Sequence, residues 1–286
     1  MFKKIPFQYD EQLKLEIDVR GLSYLTFKNY RSCLRRASEY FSKDISDVST
    51  AEMKLYLQHL KNGLGRNAQT LNSIRSAYLF LHQNVLGKDI KDFEVPRHKV
   101  VLKLPDILPT EKIVHILNLI PLKFRAILSL CYGSGLRISE ALSIRVSDID
   151  SKNMRVFVLN GKRGKSRYSV LSEYSLLTLR EYYKRYKPAG PNMFPISYDP
   201  GKPMNPQAVQ QRFSEKYKEL FPKDGKRITI HTLRHCFATH LLDAGADLRA
   251  IQILLGHASI QSTCIYTQLT TAHFKKLVSP LDQKRM

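Results

Sequence analysis

Apolar residues recur at helical spacing along most of the chain, and only between Arg155 and Ser172 does the period change to two. Burial follows periodicity, so this single switch predicts a mainly α fold with one small antiparallel sheet, an α+β class. Phe27, Tyr30, Leu34, Ala37 and Phe41 mark one buried helix face. Met53, Tyr56, Leu57 and Leu60 mark a second, and Leu71, Ile74, Tyr78 and Leu81 a third. Ser23 opens the first, Ser49 and Glu52 have capping-box spacing at the second, and Val48 with Met53 fits a hydrophobic staple. A shorter helix over 11–19 breaks at Gly21, so residues 1–87 predict a helical domain of about four helices.

Pro96, Pro105 and Pro109 then discourage helix, while Lys88, Lys91, Arg97, Lys99 and Lys103 accumulate. Residues 88–109 therefore read as an extended basic interdomain linker. Residues 110–286 form a second domain, and 286 residues suffice for two separate cores. In that domain Thr110 is expected to cap a helix with Ile113, Ile116, Leu117 and Ile120 inward, followed by an apolar helix over 122–133. The turn GSGLR leads into a helix bearing Ile138, Ala141, Leu142 and Ile144. Two strands flank the basic tip GKRGK, a helix follows over 172–187, Pro188 to Pro206 reads as a long loop, and Gln207 to Leu220 is helical.

The chain carries 46 Lys+Arg against 25 Asp+Glu, a net charge of +21 that is spread along its length. Such a surface suits a polyanion, and nucleic acid is the expected partner. Lys28, Arg31 and Arg35 form a stripe on one helix, and Arg66 and Arg75 are expected on the exterior near the fourth, all as candidate DNA contacts. No run approaches the length of a membrane span and no signal peptide is visible, so the expectation is a soluble, cytoplasmic protein. Cys33, Cys131, Cys236 and Cys264 lack CxxC spacing and read as reduced thiols.

Residues 231–266 concentrate the polar chemistry. His231 and Arg234 share a helix face, Asp247 can cap a second helix that ends at Gly256, and His257 follows in the turn. Ser259 opens a third short helix that carries Tyr266 near its end. His231 and His235, with Cys236, His240 and Cys264 nearby, make a zinc site conceivable, but no HExxH or closing pair is present and no metal is expected.

Read in order, GLRISEAL, GKRGKSR, HTLRHCFATHLL and LLGHASIQSTCIYTQL resemble the boxes of the tyrosine recombinase (phage integrase) family, most closely its compact Xer-like and transposon- or integron-associated members. The resemblance covers essentially the whole chain and implies a core-binding domain followed by a catalytic domain. It implies that Tyr266 attacks a DNA phosphodiester, leaving a 3′-phosphotyrosyl link, while Arg137 and Arg234 hold the non-bridging oxygens. It further implies Lys162 as general acid, with Lys165 as competitor, His231 as a phosphate contact or general base, and His257 as a hydrogen-bond donor to the phosphate. Arg163 and Lys165 on the same tip are further candidate DNA contacts. No cofactor, ATP or metal is expected. The implied partners are double-stranded DNA with specific recombination sites and a homotetramer, or a paired recombinase, on synapsed DNA in a prokaryotic nucleoid. Phe274, Leu277 and Val278 lie on a tail that in this family docks into a neighbouring protomer. Topoisomerase IB-like relaxation and a non-catalytic DNA-binding regulator are the alternatives to recombination.

Overall fold

A computed structural model describes residues 7–91, 94–101, 104–159, 166–196, 199–226, 228–257 and 259–268. The chain divides into two compact units, Met1–Lys103 and Leu104–Met286.

The first unit packs α1 (Asp10–Val19), α2 (Tyr24–Phe41), α3 (Thr50–Asn62) and α4 (Ala68–Phe80), the last continued by a π-helical turn over Leu81–Val85. The starts are those the sequence marks. The Thr26 amide donates to Ser23 Oγ at 3.1 Å, and Ser49 and Glu52 close the capping box. Leu13, Ile17, Leu34, Met53, Leu71 and Tyr78 fill the core between them. Beyond α4 the chain folds back on this bundle. Val95 is fully buried, and Asn72 and His98 exchange two hydrogen bonds of 2.9 and 2.8 Å. This docking corrects one expectation. Arg75 is buried, not exterior, because its Nε donates to the Val95 carbonyl that the returning chain presents. By contrast, Lys28, Arg31 and Arg35 line one groove of about 460 Å³ with Ser32, Arg36 and Glu39, and Arg66 is exposed. Arg31 is paired with Asp10, and Arg35 lies 3.8 Å from Glu39.

The second unit is built from α5 (Thr110–Leu119), α6 (Leu122–Gly133), α7 (Ile138–Leu142), β1 (Ile149–Asp150), β2 (Arg155–Val158), β3 (Arg167–Val170), α8 (Glu173–Tyr186), β4 (Pro195–Ile196), β5 (Asp199–Pro203), α9 (Pro206–Leu220), α10 (Ile230–Asp243), α11 (Leu248–Leu255) and α12 (Gln261–Cys264), then a 3₁₀ turn over Ile265–Gln268. The sheet order is β1-β2-β3, antiparallel, with Val156 opposite Ser169 and Phe157 opposite Tyr168. Val156, Val158 and Ser169 point inward and Arg155 and Tyr168 outward, which is the alternation read from the sequence. Apolar α6 runs through the centre, with Ala126, Ile127, Leu128, Leu130 and Cys131 fully buried.

Two local expectations change here. Pro109, not Thr110, is the N-cap of α5, and the Thr110 hydroxyl instead faces Tyr132 and His240 at 3.3 and 3.4 Å. The Pro188–Pro206 stretch contains the β4–β5 pair, held by an Asn192 side chain that donates to the Pro200 and Gly201 carbonyls. Among the described residues, no helix is long and apolar enough to cross a membrane.

Candidate active site

The site is assembled where the α6–α7 turn, β3 and the α10–α12 region meet. Gly135 makes the turn possible. Its φ is +63°, and an added Cβ would lie 2.4 Å from Phe237 Cδ1 on α10. The close approach places the Gly135 carbonyl where Arg234 Nη1 donates to it. Gly135→Ala is therefore expected to cost about 1–3 kcal/mol through overpacking and backbone strain, read as a lower urea midpoint.

Arg137 follows the turn as the N-cap of α7. Its backbone N–H donates to Glu140 Oε2 at 2.9 Å and its Nη1 to Glu140 Oε1 at 2.7 Å, leaving the guanidinium partly exposed. Glu140 also accepts Arg167 Nη1 and Nη2 at 3.1 and 2.8 Å and lies 3.7 Å from Arg234. One buried carboxylate thus gathers three arginines from α7, β3 and α10. Burial alone would raise the Glu140 pKa, but the hydrogen bonds and charges of Arg167 and Arg137 pull it down to about 2. The Arg167 Nε reaches the Leu254 carbonyl at 2.8 Å and its side chain lies over Gly256, which ends α11 in the left-handed conformation. Ser169 Oγ donates to the Ser134 carbonyl at 2.7 Å, so β3 is pinned to the same turn.

Arg234 is 2% exposed and donates to the carbonyls of Gly135 and Leu255. Burial and the nearby Arg137 lower its pKa to about 9, which still leaves it charged at neutral pH. A guanidinium has five N–H donors, so these two bonds orient it without exhausting it. On the same helix His231 is exposed, and its ring packs edge-on against His235 at 4.7 Å. His257, reached through the Gly256 cap, has Nδ1 2.9 Å from Thr263 Oγ1. Tyr266 is 1% exposed, its hydroxyl 3.1 Å from His235 Nδ1 and its ring nearly parallel to that of His257, with centroids 6.5 Å apart. Burial raises the Tyr266 pKa, and Arg234 and Arg137 oppose it.

The structure therefore brings Arg137, His231, Arg234, His257 and Tyr266 into one connected cluster. Lys162, Arg163 and Lys165 lie outside the described residues, as do Phe274, Leu277 and Val278 of the tail. Glu140 and Arg167 are members that the sequence did not single out, and His235, weighed there only as a conceivable zinc ligand, stands beside the Tyr266 hydroxyl. The spacing from Arg137 to Glu140 was a usable signal, but arginine is not a favoured N-cap residue. Among the described residues, no group of three or more His, Cys, Asp or Glu side chains is arranged to hold a metal ion.

Burial also depresses His82, His235 and His257 to about 4. A histidine whose folded pKa lies below its ordinary 6.5 contributes stability that is complete above 6.5 and lost as pH falls toward 4. Unfolding of the second unit near pH 5 is thus expected to be accompanied by proton uptake on His235 and His257, read as a urea midpoint that falls as pH is lowered from 6.5 toward 4. Depression of Glu140 extends the loss below its ordinary 4.5 toward 2.

Residues 108–273 match the model of the phage integrase family, and residues 11–92 match that of the phage integrase N-terminal SAM-like domain. An integrase/recombinase of Sinorhizobium fredii is 34% identical over 95% of this chain and 88% of its own. The tyrosine recombinase XerD of Corynebacterium glutamicum is 33% identical over 90% of this chain and 92% of its own. Among solved structures, the Tn1549 transposon integrase in complex with a circular intermediate DNA superposes with a TM-score of 0.70 at 20% identity, covering 95% of this chain and all of the other. The chain belongs to the phage integrase family and is a site-specific tyrosine recombinase.

Proposed function

We propose that this recombinase cuts and rejoins double-stranded DNA through a 3′-phosphotyrosyl intermediate at Tyr266 and exchanges strands through a Holliday junction. The observation that carries the proposal is the gathering of the Tyr266 hydroxyl, two histidines and the Arg137/Arg234 pair around a region only partly open to solvent. The arginines neutralise charge as it grows on the non-bridging oxygens, where guanidinium forks fit a trigonal-bipyramidal phosphorus. His257 and His231 add contacts to the phosphate, and Lys162, or Lys165, protonates the leaving 5′ oxygen. The phosphotyrosyl bond conserves the energy of the phosphodiester, so rejoining to a new partner needs no nucleotide.

The first unit holds the duplex through the α2 groove of Lys28, Arg31 and Arg35, with Arg66 as a further phosphate contact. Four protomers act on two synapsed sites in a prokaryotic cytoplasm, with the C-terminal tail of each docking on its neighbour. Integration, excision, resolution and transposition use the same chemistry and differ in the DNA sites and accessory proteins.

The test begins with duplexes selected from a random library by binding to the chain. Two copies of a selected site are placed on one plasmid and incubated with chelator and without nucleotide. Excision or inversion between the sites is expected. Relaxation without exchange would favour a topoisomerase-like activity, and binding with no strand breakage a regulator.

A further inference from the structure

The family resemblance implies His231 as a phosphate contact or general base, yet the described residue hydrogen-bonded to the Tyr266 hydroxyl is His235. Its Nδ1 lies 3.1 Å from Tyr266 Oη, across 31 residues of sequence. It stands on α10 directly after Arg234, half-buried, with its ring 5.7 Å from the tyrosine ring and 4.7 Å from that of His231. We propose that His235 is a catalytic residue, whose Nδ1 accepts the Tyr266 hydroxyl proton as the phenolic oxygen attacks phosphorus.

The donor inventory favours this direction. A tyrosine hydroxyl has one proton, and Tyr266 is 1% exposed, so giving that proton to His235 Nδ1 satisfies it without water. The opposite arrangement, with Nδ1–H donating, would leave the buried hydroxyl proton in search of another acceptor. The chosen one requires the Nε2–H tautomer. Burial, His231 and Arg234 lower the His235 pKa to about 4, so at neutral pH the ring is in the uncharged form that can accept. The groups that face it are His231 and Arg234 on its own helix, Tyr266 from the 3₁₀ turn and His257 from the loop after α11. Burial and the Arg234 charge oppose protonation of His235 in the free protein. A bound phosphodiester brings a negative charge beside Arg137 and Arg234 and relieves that opposition during attack.

The step balances. The Tyr266 O–H bond breaks and its proton goes to Nδ1, while the phenolic oxygen forms the bond to phosphorus. The bond from phosphorus to the 5′ oxygen breaks, and that oxygen leaves with a proton from the general acid. On rejoining, the imidazolium returns its proton to the departing phenolate.

The proposal rests on the phosphotyrosyl reading above, and wild-type cleavage of a nicked suicide duplex tests that reading separately. Given such cleavage, His235→Asn keeps an acceptor near the Nδ1 position but cannot take the proton, and His235→Ala removes both. Single-turnover cleavage is expected to fall about 10²–10³-fold in each at pH 7, with site binding and urea midpoint close to wild type for His235→Asn. In both variants the rate should climb with pH as hydroxide replaces the base, whereas the wild-type rate should be nearly flat around neutrality. Cleavage within about threefold of wild type, or a loss of equal size at every pH, would overturn the proposal. A measurement without substitution stands beside it: ¹⁵N imidazole spectra of the wild-type chain should show His235 as the Nε2–H tautomer, and the Nδ1–H tautomer would equally overturn it.

Discussion

Glu140→Ala is expected to lower the stability of the second unit by about 3–5 kcal/mol, the usual consequence of deleting one partner from a buried ion-pair network. The carboxylate has its side chain only 7% exposed and is the shared partner of Arg137 and Arg167, with Arg234 at 3.7 Å. Without it, three guanidinium groups from three elements face one another in a region that water enters poorly. Arg137 and Arg167 lose their clamps, and the Arg137 backbone N–H loses its acceptor at the start of α7. Cleavage should fall further than stability alone explains, because the arginines must be held before DNA arrives for their charge to stabilise the transition state. Glu140→Gln, which keeps the volume and part of the hydrogen bonding, should lie between the two. Urea unfolding checks the first effect, and a midpoint unchanged in Glu140→Ala would show that the arginines are held by other means.

Arg234→Ala is expected to reduce single-turnover cleavage by at least about 10²–10³-fold, the scale of losing one donor to transition-state charge. Site binding should be largely kept, since this is one contact among many to the DNA backbone. A stability cost accompanies it. The Gly135 and Leu255 carbonyls would each lose a buried donor, at about 1–3 kcal/mol per unsatisfied group. Arg234→Lys separates the two effects, because it keeps the charge but not the fork that reaches both carbonyls and a phosphate together. Cleavage rates and binding affinities of folded protein decide the matter. A loss of binding as large as the loss of cleavage would move Arg234 from catalysis to docking.

The sequence was most legible where structure is local. Helix faces follow from a period of 3.6, and the caps at Ser23, Ser49 and Asp247 are decided within four residues, so all are seen in the fold. Contacts made across long stretches of chain were not legible. Arg75 points inward because Val95, 20 residues later, brings it a carbonyl. Thr110 is turned from capping toward Tyr132 and His240, which lie on other helices.

The same division holds at the site. Arg137, His231, Arg234, His257 and Tyr266 could be named because four motifs stand in order. Glu140 and Arg167, which orient them, stand inside GLRISEAL and GKRGKSR, but nothing in the spacing shows that they pair, and the pairing of His235 with Tyr266 exists only once α10 and the 3₁₀ turn have packed.

The central claim is that Tyr266 is the nucleophile. The most direct test is a nicked suicide duplex bearing a selected site, incubated with the chain without magnesium or nucleotide, followed by digestion and mass analysis of the DNA-linked peptide. A 3′-phosphate linked to Tyr266, and absent from Tyr266→Phe protein that still binds the site, is the predicted result. An adduct that persists in Tyr266→Phe, a link to a 5′ phosphate, or sequence-specific binding with no adduct would contradict it.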